Sequence, residues 1–364
     1  MTATSFGVSS LIRSTLESVL AAELPLHVLL DAAALGEEPS AYHTKLVEFG
    51  LPSIMVSEDQ GGVALDEADV ADIFEVAGRR LLPLSVLDES VVVAPTLAIV
   101  AARGDTQAED WLAAMLAGSV RGGSATTQSA PPAPGGQSSP GRFINIESAP
   151  ARLAPESILA CLMGRTWLAL LDLGGAGITH DRTASLDPGV RRLRLSDAAV
   201  DERRVLTDDG ARTIIVGWHV AVFAYLAGCV NHVTDMTVGH TQEREQFGRP
   251  LAEFQSVAHT LADMVVARES ISSCVSRLVA LCAQDSGGDA EAIDWLIACL
   301  RYWIPKQARD ACEHAIHLHG GMGYSWELGL HLYYRRVLQV QATFGGEYAS
   351  AREVGRAFLA GSPA

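Results

Sequence analysis

Residues 244–264 read Arg244-Glu245-Gln246-Phe247-Gly248-Arg249-Pro250-Leu251-Ala252-Glu253-Phe254-Gln255-Ser256-Val257-Ala258-His259-Thr260-Leu261-Ala262-Asp263-Met264. The stretch closes a long apolar helix that starts near Trp218 and opens a second one. In the second helix Leu261, Met264, Val265, Arg268, Ile271, Val275, Leu278, Val279 and Cys282 recur at helical spacing, and all but Arg268 are apolar or thiol. Between the helices, Arg244 and Arg249 flank a glycine–proline turn. A guanidinium there can hold a phosphate through two parallel hydrogen bonds. The same residues also read as a solvated helix end with Glu/Arg pairing, and local sequence alone leaves both readings open.

Downstream, Ser286-Gly287-Gly288 breaks the helix and Asp289 can cap the next. That helix runs from about Ala290 to His319, with Pro305 as an expected kink, and Gly320-Gly321-Met322-Gly323 ends it. His314, His317 and His319 form an HxxHxH spacing that could hold a metal. Imidazoles at a helix C-terminus also complement the helix dipole, and no carboxylate or thiol beyond Cys312 and Glu313 completes a site, so no metal is assigned. Upstream, Ala68–Arg80 and Gln107–Leu116 read as helices. Gly122 to Gly141 is dense in Gly, Pro and Ser and reads as a loop. Ser157–Leu162, Thr166–Leu171 and Val190–Leu195 look like strands, with Asp187-Pro188-Gly189 as a turn. The expected class is α+β, mainly α: an N-terminal helical domain (1–118), a small middle β domain with its Gly/Pro/Ser loop (119–210) and a C-terminal helical bundle (211–364).

The 364 residues leave room for two or three domains, and 48% apolar against 19% charged residues supports a sizeable core. The formal net charge of −16 repels phosphate backbones and anionic bilayers, and no basic stripe offsets it. A nucleic-acid or membrane role is therefore not expected. An anionic ligand would need locally concentrated positive charge. No secretory signal and no run of about 18 uninterrupted apolar residues is evident, so a soluble cytoplasmic chain is expected. The six cysteines contain no CxxC pair and read as buried thiols.

Taken together, these motifs resemble the acyl-CoA dehydrogenase family over nearly the full length. Residues Arg244 to Met264 are similar to the family pattern RxQFGxPLxxFQxVxHxLADM. Ala315-Ile316-His317-Leu318-His319-Gly320-Gly321-Met322-Gly323-Tyr324 is similar to AIQLHGGxGY. Gly50-Leu51 through Val56-Ser57-Glu58-Asp59-Gln60-Gly61-Gly62 is similar to GL...VPEExGG, and Glu75-Val76-Ala77-Gly78-Arg79 fits ExxGR. The resemblance implies that the C-terminal bundle has four helices and that FAD is bound between subunits. It implies that Arg244, Phe247 and Gln255 reach the pyrophosphate and adenine side of a flavin lying mainly on a neighbour. It implies backbone approach at Gly320 and Gly321. His317 stands where the family usually has glutamine.

Two parts of the family pattern are altered. The usual base lies in a YEGT-like segment, and here the region reads Ala342-Thr343-Phe344-Gly345-Gly346-Glu347. Anchored on Arg335-Arg336 and on Gly355-Arg356-Ala357-Phe358, it puts Phe344 at the base position and Gly346 at the flavin-contacting threonine. Glu347 becomes the base only with a shift of register. The earlier base position of some relatives falls on Trp218 with His219 beside it. The flavin-facing YxxTExxxGSD segment is replaced by Gly123-Ser124-Ala125-Thr126-Thr127-Gln128. This pattern resembles the subunit without the base in actinobacterial heterotetrameric acyl-CoA dehydrogenases of steroid side-chain breakdown. The resemblance implies an α2β2 assembly. In it a second acyl-CoA dehydrogenase-like chain supplies base and substrate site, the substrate is a bulky acyl-CoA, and this chain need not be active alone. The alternatives are a homo-oligomeric dehydrogenase with a displaced base and a flavin-free scaffold subunit.

Overall fold

The computed structural model describes residues 13–20, 22, 28, 40–127, 129, 133–134, 142–154, 156–182, 190–284 and 290–359. The expected turn at Asp187-Pro188-Gly189, the break at Ser286-Gly287-Gly288 with its cap Asp289, and most of the Gly/Pro/Ser loop lie outside the described residues. In chain order the helices are α1 (Ser40–Glu48), α2 (Glu67–Arg79), α3 (Leu84–Ala102), α4 (Thr106–Leu116), α5 (Asp209–Glu243), α6 (Gln255–Cys282), α7 (Ala290–Leu318), α8 (Leu330–Thr343) and α9 (Gly346–Leu359). The strands are β1 (Gly122–Thr126), β2 (Ala133–Pro134), β3 (Arg142–Arg152), β4 (Leu159–Met163), β5 (Leu168–Asp172), β6 (Ile178–Arg182), β7 (Val190–Val200), β8 (Val205–Leu206), β9 (Glu245–Gln246) and β10 (Arg249–Pro250). The chain is thus mainly helical with a mixed sheet in its middle. The long apolar helix begins at Asp209, nine residues before the expected start at Trp218, because Asp209 and the residues after it continue the helical repeat.

One unit comprises the described residues of Ala32–Asp66 and Pro83–His219. Its eight-stranded sheet runs β6-β7-β3-β1-β4-β5-β8, with β2 added on β3. β1 and β4 are parallel, with Gly122 opposite Leu159 and Thr126 opposite Met163. All other pairs are antiparallel. Inward residues Ile144, Ile146, Leu193, Leu195 and Val200 alternate with exposed ones and meet Trp167, Leu162 and Leu171 in one apolar core. Along β7 the alternation slips at Ser196-Asp197, both exposed. Asp197 has φ +47°, its N–H donates to Asn145 Oδ1 at 2.7 Å, and its carboxylate accepts from Asn145 Nδ2 at 2.8 Å. That bulge accounts for the first of two register shifts in the β3–β7 ladder, between Ile144 and Ile146; the second, between Ile146 and Ala149, adds a residue on β3.

The sequence loop expected from Gly122 opens instead as strand β1. Gly122 and Gly123 carry no strand signal, yet a Cβ on Gly123 would lie 1.8 Å from the Arg152 carbonyl oxygen. The close approach of β3 requires glycine there.

The other unit comprises the described residues of Met1–Asp31, Glu67–Leu82 and Val220–Ala364. Helix α2 crosses α5 at two glycines. A Cβ on Gly78 would lie 1.9 Å from the Tyr225 oxygen, and one on Gly228 would lie 1.9 Å from the Glu75 oxygen. The end of α2 is capped by side chains: Tyr225 Oη donates to Leu82 O, Tyr333 Oη to Arg79 O, and Arg336 to Leu82 O. The cation at the C-terminal carbonyls also opposes the helix dipole favourably. Pro305 lies inside α7, as expected. Helices α7, α8 and α9 are joined by an ionic cluster: Arg309 bonds Glu347 at 2.7 Å and Asp310 at 3.1 Å, and Tyr334 donates to Glu313 at 3.1 Å.

Leu84–Ala102 and Asp209–Glu243 are long and apolar enough to cross a membrane by length and composition, and 89% and 94% of their most apolar windows are buried inside the protein. All six cysteines are free; Cys161, Cys229 and Cys312 are buried and the other three are half-buried. Burial pushes the Cys229 thiol up to about 12, which fits an inert core thiol.

Candidate functional site

Helix α5 leads directly into the most specific motif. The Arg244 N–H bonds the His240 carbonyl at 2.8 Å, which completes the last helical turn. Strands β9 and β10 then pair Gln246 with Arg249, and Phe247-Gly248 forms the tip with φ +55° and +81°. Two successive positive φ values are those of a type I′ hairpin. Glycine takes that conformation freely, whereas Phe247 is strained in it and its ring is 93% exposed. The ring meets Phe254 edge to face, with centroids 6.2 Å apart, and the Arg249 guanidinium lies 4.1 Å over the Phe254 ring.

Arg249 is therefore engaged by its own hairpin. Arg244 is exposed and its guanidinium makes no hydrogen bond or ion pair among the described residues, so its pairing with a glutamate, which the sequence allowed, does not form. Gln255 is exposed at the first turn of α6.

The second motif ends α7. His317 is exposed and His319 is buried, with its Nδ1 at 2.7 Å from the Ala315 carbonyl oxygen. A 3-10 turn follows over Gly320–Tyr324. Gly323 is required by packing, since its Cβ would meet the Ile316 oxygen at 2.2 Å. Gly320 has φ +59°, but a Cβ on either Gly320 or Gly321 would meet nothing within 4 Å. Gly321 has no positive φ, and among the described residues nothing stands where its Cβ would be, so they give no packing cause for its smallness. The imidazoles of His240 and His319 stack with centroids 4.3 Å apart and planes 20° apart. That contact joins the hairpin end of α5 to the glycine turn. The structure thus brings Arg244, Phe247, Gly320 and Gly321 to one part of the helical unit. The HxxHxH spacing does not converge: His319 is buried against His240, while His317 faces outward.

The residues at the base positions are differently placed. Phe344 is 2% exposed and closes α8. Its ring lies 6.0 Å from that of Phe223 and 5.3 Å from the Arg301 guanidinium. Arg301 also bonds Glu353 at 3.2 Å and the Phe344 carbonyl. Glu347 stands in the first turn of α9 and accepts from Arg309 Nη1 at 2.7 Å. In the other unit, His219 is buried, its Nδ1 2.7 Å from the Ile215 oxygen and its ring edge-on to Trp218 at 4.8 Å.

Sequence reasoning missed Asp88. This residue precedes a π turn, Glu89–Val93, inside α3 and is fully buried. Its carboxylate accepts from Arg152 Nε and Nη2, Ser124 Oγ at 2.7 Å and Trp218 Nε1 at 3.1 Å. Burial raises its pKa and the Arg152 charge opposes that rise. Neighbouring Glu89, also buried, accepts from Arg121 Nε and the Gly122 N–H. With its lone pairs taken by four donors, Asp88 ties α3 to the sheet rather than standing free as a base. The only signal for it was a pair of acids inside the apolar run Val86–Val93.

Residues 218–359 match the family described as acyl-CoA dehydrogenase, C-terminal domain. Over this stretch the chain is similar to acyl-CoA dehydrogenases. The acyl-CoA dehydrogenase FadE28 of Mycobacterium tuberculosis is 30% identical over 155 residues, which cover 42% of this chain and 44% of FadE28. The chain therefore spans less than half the length of that relative. The acyl-CoA dehydrogenase IpdE2 of the same organism is 24% identical over 307 residues, 84% of this chain and 82% of IpdE2. Among solved structures, a chain of the ChsE4-ChsE5 complex from Mycobacterium tuberculosis superposes with a TM-score of 0.83 at 20% identity, over 100% of this chain and 99% of that one. At that identity the likeness establishes an acyl-CoA dehydrogenase fold.

Proposed function

We propose that this chain is a subunit of an FAD-dependent acyl-CoA dehydrogenase, an oxidoreductase acting on CH–CH bonds. In this reading it completes the cofactor site of a second, dehydrogenase-like chain that supplies the catalytic base. The observation that carries the reading is the contrast between two regions of the same helical unit. The Arg244 guanidinium, the Phe247 ring and the glycines Gly320 and Gly321 are exposed, and the guanidinium has no partner among the described residues, whereas the base position is filled by buried Phe344.

The donor set fits FAD. Arg244 offers a bidentate fork to a pyrophosphate, and on a chain of net charge −16 it supplies the positive charge locally. Phe247 offers an exposed ring face, Gln255 an amide matching an adenine edge, and Gly321 a backbone that a ligand can approach closely. His317 would replace the family's glutamine with a single N–H donor. When bound, FAD accepts a hydride from the β-carbon of the acyl thioester. This chain would bind and orient its adenosine diphosphate part and shield it from water. A bulky acyl-CoA, steroid- or polyketide-like, as substrate and an α2β2 assembly in the cytoplasm follow from the family resemblance.

The test is expression alone and together with a candidate partner dehydrogenase chain, followed by visible spectra and FAD counted per pair of chains. The expected result is a colourless, inactive chain alone, FAD in the pair, and loss of that FAD with Arg244→Ala. A yellow homomer that reduces a dye with acyl-CoA would establish the homo-oligomeric enzyme instead. A colourless pair would establish a scaffold. FAD content unchanged by Arg244→Ala would remove Arg244 from the site.

A further inference from the structure

We propose that His240 and His319 are positioning residues whose stack locks the Arg244–Phe247 hairpin to the Gly320–Gly321 turn, so that both motifs face one FAD. The cofactor part rests on the function proposed above; the locking part rests on this chain alone.

Each imidazole sits at the root of one motif. His240 accepts the Arg244 N–H through its carbonyl, so its position sets where the hairpin leaves α5. His319 immediately precedes Gly320, and its Nδ1–H donates to the Ala315 carbonyl, which fixes the ring's rotation. The rings then meet at 4.3 Å and 20°, a face-to-face contact between two helix ends. The turn is also seated against α8 and through Gly323, where a Cβ would meet the Ile316 oxygen, while a Cβ on Gly320 or Gly321 would meet nothing within 4 Å. The stack is the ring contact that joins the root of the glycine turn to the root of the hairpin.

Such a contact suits neutral rings. Burial holds the pKa of both histidines below the usual value, and for His240 the His319 ring and Arg244 push in the same direction. The charged groups acting on the pair are Arg244, which opposes a further positive charge and directly follows α5, and Glu243, which favours one and ends α5. From α7 only the Ala315 carbonyl favours a charged His319, and no carboxylate acts on that ring. The sign follows: a histidine whose folded pKa is depressed contributes stability above its unfolded value and loses it as pH falls below about 6.5.

The test uses the full-length chain and two variants. Amide hydrogen exchange over Gly320–Tyr324, corrected for intrinsic rates, is followed from pH 8 to pH 5. In the wild type, protection should fall below about pH 6.5, by at most about a hundredfold per pH unit, the slope that two linked protons allow. His240→Ala should have low protection at every pH. His240→Phe should restore it at neutral pH and make its fall under acid shallower, because only His319 is left to take a proton and a phenyl face tolerates an imidazolium against it. FAD retention in the complex with the partner should rank the three proteins in the same order. Equal protection in His240→Ala and wild type would overturn the locking role, as would a His240→Phe profile that falls with acid like the wild type. A wild-type complex that binds no FAD at neutral pH overturns the cofactor reading and, with it, the orienting part of the proposal.

Discussion

Phe344→Glu puts a carboxylate where the resemblance expects the base, and the structure says what it would meet. Phe344 is 2% exposed and packs against Phe223 and Arg301. Emptying a buried phenylalanine site costs about 3–5 kcal/mol, and a glutamate refills part of the volume while bringing a charge indoors. Arg301 lies 5.3 Å from the ring centre. At that separation an effective dielectric of about 20 gives roughly 3 kcal/mol of attraction. Arg301 already serves Glu353 and the Phe344 carbonyl, so only part of that attraction is available. The expected balance is a loss of about 2–3 kcal/mol, a size typical of disturbed cores.

Urea unfolding should show it as a midpoint lowered by on the order of 1 M. A dye-reduction assay with acyl-CoA should stay at background for the chain alone, because the carboxylate is bound to Arg301 rather than free to take a proton. An unchanged midpoint would refute the buried packing of position 344. Acyl-CoA-dependent dye reduction by the lone variant would refute the assignment of the base to a partner.

Gly228→Ala should destabilise the chain by about 3 kcal/mol or more, since the new methyl would lie 1.9 Å from the Glu75 oxygen and α2 must move away; thermal unfolding checks this. Trp218→Phe removes one donor from buried Asp88 and should cost about 1–3 kcal/mol without altering FAD in the complex, as measured by urea unfolding and the visible spectrum. Asp105 caps α4 through the Ala108 N–H, and its bond to Arg204 holds its carboxyl below the usual value. Its contribution is therefore present above about pH 4 and lost as pH falls further, so Asp105→Ala should cost about 1 kcal/mol at pH 7 and much less at pH 2.5.

The helices were legible because their periodicity is local. Ala68–Arg80 and Gln107–Leu116 fall within one residue of Glu67–Arg79 and Thr106–Leu116. The strands expected at Ser157–Leu162 and Thr166–Leu171 are present, displaced by two residues at their starts. Strand β1 was illegible because its glycines answer to the Arg152 backbone, which is remote in sequence. The pairing of α2 with α5 was illegible for the same reason: the glycines that permit it look like punctuation until the partner carbonyls are seen. In the candidate site, the motif residues were legible as motifs. Their joining through His240 and His319 was not, since two histidines 79 positions apart give no pattern. Asp88 was hidden because a carboxylate inside an apolar run reveals its donors only in three dimensions.

The glycine crossing of α2 and α5 has a consequence for how the chain is made. Gly78 leaves the ribosome well before Tyr225 and Gly228 exist, a gap of roughly 10–30 s at ordinary elongation rates. During that interval α2 has its apolar face, including Val70, Ile73 and Phe74, and no helix to receive it. The residues on either side of α2 belong to the other unit, which can close before α2 finds its place. A nascent chain of this protein thus holds one finished helix in waiting, which makes slow translation between residues 82 and 228 a hazard and an early holding factor an advantage.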